Sequence, residues 1–122
     1  VALAEGEKLD HLQLWTQPEV SPTPPDGTNV EFVVPADDEG DGIGRLRMRV
    51  HERGVGETQS CGTGACAAAA ATRFWAGASA PDEYLVQVPG GIVSATFVPG
   101  PDGAEHVVLA GPAEIVARGV FA

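Results

Sequence analysis

An α+β domain is expected here: a curled β-sheet, mixed or antiparallel and barrel-like, wrapped around one central buried helix. Three observations point to it. About seven short segments alternate apolar and polar residues with the period of a strand. One stretch only, Ala65 to Trp75, is built of helix formers and is apolar on every face, which places it inside protein. Clusters of Gly, Pro and Asp separate these segments at short intervals. With 122 residues and 43% hydrophobic content, residues 1–122 suffice for a single domain with its own core.

In chain order, Leu12 and Leu14 flank Gln13 in a half-buried strand from Leu9 to Trp15, and Pro18, Pro22, Pro24 and Pro25 then break regular structure as far as Gly27. Val30, Phe32 and Val34 alternate through a second strand, Thr28 to Val34, with Asn29 at its entry. Asp37 to Gly44 is an acidic, glycine-rich connection of hairpin type. Leu46, Met48 and Val50 alternate strictly with Arg45, Arg47, Arg49 and His51, giving one core face and one wet, basic face. After the helix, Tyr84, Val86 and Val88 alternate, Pro89-Gly90-Gly91 turns, and Ile92 to Val98 returns. His106 to Ala110 and Ala113 to Val120 complete the set.

The start of the helix carries the chemistry. Ser60 or Cys61 stands at the N-terminal cap, and Gly62 and Gly64 leave the first backbone N–H groups open to a ligand. Unpaired N–H groups and the helix dipole together favour an anion such as a carboxylate. The same place lowers a cysteine's pKa, so Cys61 is either a proton-transfer thiol or a small buried hydrophobe. Arg73 suits the negative end of the dipole and Gly77 the C-terminal stop.

A net charge of −10 argues against nucleic acid or an anionic membrane as partner. No stretch is long and apolar enough to span a bilayer, and no leader pattern is expected. The chain begins with Val rather than Met, which fits a fragment or a processed chain. Cys61 and Cys66 lie on different faces of one helix, which disfavours a disulfide and suits a reducing cytoplasm. His11, His51 and His106 sit on separate segments, and the cysteines lack a metal-ligand spacing. Gly54-x-Gly56 and Gly62-x-Gly64 do not follow a strand in the dinucleotide-binding pattern, and Lys8, the only lysine, is poorly placed for pyridoxal phosphate.

Glu52-Arg53-Gly54-x-Gly56-Glu57-Thr58-x-x-Cys61-Gly62-Thr63-Gly64-Ala65, preceded by Thr28-Asn29-Val30-Glu31-Phe32, resembles the second half of diaminopimelate epimerase. Pro89-Gly90-Gly91 and Gly111-Pro112-Ala113 fit as well, so the resemblance covers nearly the whole chain. Proline racemase and its relatives share the Cys-Gly-Thr-Gly segment but not the longer lead-in. The resemblance implies a cofactor-independent enzyme of two similar halves, with one cysteine from each facing the α-carbon of the substrate. Cys61 matches the second-half cysteine, and Gly62 and Thr63 match the residues whose N–H groups hold the α-carboxylate. Glu52 and Arg53 match residues that hold the reacting amino group and the distal end of diaminopimelate; Asn29 matches a distal-end contact. The implied partners are the substrate and a first half, or a second copy in a homodimer. A stand-alone binding or oligomerising domain that lost the chemistry, or a proline-racemase-like isomerase, are the alternatives.

Overall fold

The computed structural model describes residues 1–37, 39–113 and 117–120. Its strands are β1 (Ala2–Leu3), β2 (Val30–Pro35), β3 (Ile43–Glu52), β4 (Gly56–Glu57), β5 (Glu83–Val88), β6 (Gly91–Pro99) and β7 (Glu105–Ala110), with one α-helix, α1 (Gly62–Ala76), between β4 and β5. They form one sheet in the order β1-β2-β3-β5-β6-β7, β4 pairing with β3 outside this path. β1 with β2 and β3 with β5 are parallel, the other pairs antiparallel, so the sheet is mixed. The sheet is curled but not closed: α1 touches β2, β3, β5, β6 and β7, while β1 and β7 are its edges among the described residues.

The alternation in β3 does what its period requires. Leu46, Met48 and Val50 are at most 2% exposed, and Leu46 and Met48 join Val33, Val86, Val88, Ala95 and Phe97 in the core around Ala65, Ala68 and Ala69 of α1. Because alanine adds only a methyl group, the sheet approaches the helix closely. Tyr84 lies flat over Gly44, where a Cβ would stand 2.2 Å from the ring, and meets Phe97 edge-on at 6.1 Å. Its hydroxyl is buried with no hydrogen-bond partner among the described residues. Tyr84→Phe is therefore expected to melt at the same temperature as the parent or higher, since it removes a desolvated polar group and keeps the ring. A thermal scan checks this; a loss of about 1 kcal/mol or more would mean that the hydroxyl has a partner.

Three features differ from the sequence expectation, and a fourth expectation falls partly outside the described residues. Leu9 to Trp15 is not a strand: Leu9–His11 is a 3-10 turn, and irregular chain follows. Leu9 and Leu14 are nonetheless buried, because this segment lies on the outer side of the sheet and offers its carbonyls to arginines instead of to a strand ladder. For the same reason the arginine face of β3 is not simply wet. Arg47 donates to Gly6 O and Asp10, Arg49 donates to Leu9 O, Leu12 O and Glu57, and His51 is 4% exposed. The helix, apolar all round, is covered on one side only by the described residues. Thr63, Ala67 and Ala70 are exposed and Phe74 is 84% exposed, because the open sheet does not encircle α1. Finally, Ala113 to Val120 was expected as a strand; Glu114, Ile115 and Val116 lie outside the described residues, and 117–120 show no regular structure.

Arg73 ties the far end of the helix to the sheet. It stands 4.4 Å over the Phe97 ring and donates to Asp82 and Glu105, which holds the Glu105 carboxyl below its ordinary range and fastens β7, every residue of which is exposed.

Candidate active site

The helix start is built around Cys61, which is the N-cap in extended conformation (φ −137°, ψ 110°). Its carbonyl accepts the Ala65 N–H at 2.8 Å and its sulfur accepts the Gly64 N–H at 3.3 Å. The Gly62 and Thr63 N–H groups are left without partners among the described residues, as the first turn of any helix leaves them. Thr63 is exposed, while Cys61 and Gly62 are half-buried. The cap is thus a sulfur beside two backbone donors, an arrangement that accepts a carboxylate next to a thiol.

Cys66 lies further along α1, half-buried, and burial pushes its thiol up. It is the less reactive kind of cysteine.

The second group of site residues sits where β2 begins and β3 ends. Pairing of Val30 with His51 brings Asn29 alongside the turn after β3, and Asn29 Oδ1 accepts the Arg53 N–H at 2.8 Å. Arg53 also donates to Asp26 O at 3.3 Å, its stem lying over Gly27, whose positive φ of 74° and missing Cβ let the chain pass beneath. Glu52 is half-buried at the last position of β3, opposite Gly56. Gly27, Thr28, Asn29, Glu31 and Arg53 line an open hollow of about 360 Å³. A hollow of about 400 Å³ lies at the other end of α1, between Trp75, Pro35 and Tyr84, away from all these residues.

Two supports of the site were not read from the sequence. Arg49 holds Glu57 through two bonds of 2.7 Å, and so anchors the loop between Glu52 and Cys61 to the strand it leaves. The Gly90 N–H donates to Gln59 O at 2.9 Å, and a Cβ on Gly90 would stand a tight 3.1 Å from that oxygen, so the β5–β6 turn braces the approach to Cys61 at a position where glycine gives the closest fit. The outward row of arginines on β3 was the available signal for the first; nothing local announces the second.

The model of the diaminopimelate epimerase family matches residues 1–116. The chain belongs to that family. Diaminopimelate epimerase of Streptomyces coelicolor is 46% identical over 128 aligned positions, which cover 98% of this chain and 41% of that protein. The Rhodococcus erythropolis enzyme is 44% identical, over 95% of this chain and 36% of its own. That of Acidothermus cellulolyticus is 48% identical, over 78% of this chain and 29% of its own. The chain thus spans about two-fifths or less of the length of these diaminopimelate epimerases.

Proposed function

We propose that this chain is the second half of a diaminopimelate epimerase that interconverts LL- and meso-diaminopimelate, in lysine and peptidoglycan-precursor synthesis, without a cofactor. The observation that carries the reading is the helix cap, where the Cys61 sulfur stands beside Gly62 and Thr63 N–H groups that have no partner among the described residues. Those two donors hold the α-carboxylate and stabilise negative charge as the α-proton leaves. Cys61 takes that proton in one direction and delivers it in the other. Glu52 holds the reacting amino group, and Arg53 and Asn29 hold the distal end. Two free thiols of this kind suit a reducing cytoplasm.

Inverting a stereocentre needs a proton removed from one face and another supplied to the opposite face. One thiol on a rigid helix start reaches one face only, and Cys66 lies further down α1 with its thiol pushed up. The opposite group therefore comes from a first half, seated over the exposed Asn29, Arg53 and Thr63, or from a second copy of this chain. The expected result is that the 122-residue chain alone does not convert LL- into meso-diaminopimelate, whereas addition of a separately produced first half from a relative restores conversion. Incubation in D₂O, following α-deuterium uptake and the meso form together, makes the check. Turnover by the chain alone would remove the two-sided mechanism.

A further inference from the structure

The hollow beside Arg53 contains a charged residue that the reaction as described does not use. Glu31 is 7% exposed, on the helix-facing side of β2 beneath the first turn of α1. A Cβ on Gly64 would stand 2.9 Å from its Oε1, so the carboxylate packs directly against a helix position that has no side chain. It makes no hydrogen bond among the described residues; the one cation within 4.0 Å is the Val1 ammonium, at 3.9 Å from Oε2, too far to donate. A carboxylate this buried is costly unless a cation with N–H groups meets it.

The rest of the hollow has the opposite character. Arg53 brings a guanidinium, and Asn29, whose Oδ1 accepts the Arg53 N–H, offers its amide N–H₂ as a further donor. Donors for a carboxylate and an acceptor for an ammonium thus line one wall of about 360 Å³, which matches an amino-acid head group carrying both charges.

We infer that Glu31 is a positioning residue that receives the distal ammonium of the substrate and selects a diamino diacid over its monoamino analogue. This rests on the proposed function. In a protein of full family length carrying this segment, Glu31→Gln is expected to raise KM for LL-diaminopimelate by about 10- to 100-fold, the range of a charge-assisted hydrogen bond, with little change in kcat. The probe for specificity is 2-aminopimelate, in which hydrogen replaces the distal amine; its inhibition constant should be the same in parent and variant. Equal KM values, or an equal loss for both ligands as a structural defect would give, overturn the inference. A parent that does not epimerise diaminopimelate overturns the proposed function instead, and this inference with it. Should Glu31→Gln not fold, Glu31→Asp carries the test, keeping the charge and withdrawing it by one methylene. The same selective rise for diaminopimelate is then expected, and an unchanged ratio between the two ligands overturns the inference.

Discussion

Cys61→Ser in a protein of full family length is expected to lower kcat/KM for diaminopimelate epimerisation by about 10²- to 10⁴-fold, the contribution of a positioned general acid or base. The substitution keeps the cap: a serine oxygen at the N-cap accepts the Gly64 N–H that the sulfur accepts at 3.3 Å, and serine is a preferred residue there. Stability should change little, which separates a chemical loss from a folding one. The loss must also be the same in both directions, because the equilibrium between the two stereoisomers is fixed by the substrates and not by the enzyme. A thiol that is base on the way out is acid on the way back, so no substitution at Cys61 impairs one direction alone. Initial rates from each isomer, with a thermal scan of the variant, make the measurement. Full activity in Cys61→Ser would falsify the assignment of the proton-transfer group.

Ala69→Leu should destabilise the chain by about 1–3 kcal/mol, the usual cost of forcing extra methylenes into a filled core. Ala69 is 0% exposed, like Ala65 and Ala68, in the core cluster with Leu46, Met48, Val86 and Phe97. Ala70, the next residue along α1, is exposed, and leucine there should cost nothing comparable. Paired denaturant titrations of the two variants isolate the packing effect, since both make the same change of residue type in the same helix. Equal midpoints would show that the sheet does not press on the Ala69 side of α1.

The strands were legible where a face is buried and the pattern is local. Leu46, Met48 and Val50, and Tyr84, Val86 and Val88, lie where alternation puts them, and Gly77 ends the helix with positive φ, its N–H donating to Arg73 O. The first segment of the chain was not legible, for a physical reason. Leu9 and Leu14 are buried by long-range contact with the outer side of the sheet, and an apolar residue held by tertiary contact looks in sequence like one held by a ladder. The composition of α1 gave the opposite error: alanine is compatible with burial and does not demand it, so an all-apolar stretch did not reveal that one side is bare. Of the candidate site, Cys61 and Gly62 could be read from helix-cap chemistry, whereas Thr63, Asn29, Glu52 and Arg53 drew their roles from resemblance alone. The hydrogen bond between Asn29 and Arg53 spans 24 residues, and no short-range pattern announces it. Glu31 went unnoticed because a charged residue in a strand ordinarily faces water.

The side of α1 left bare and the edge of β7 left unpaired among the described residues also bear on how the segment behaves in a tube. Phe74, Val107, Val108 and Leu109 expose apolar surface beside backbone donors and acceptors that another chain can pair with. Opposing this is the charge of −10, which makes copies repel one another. That repulsion reaches about 30 Å at 0.01 M salt and about 8 Å at physiological ionic strength, whereas the attraction between apolar edges is not screened. Colloidal stability of the isolated segment therefore falls as salt is added, and dilute buffer near neutral pH is the medium that keeps its copies apart.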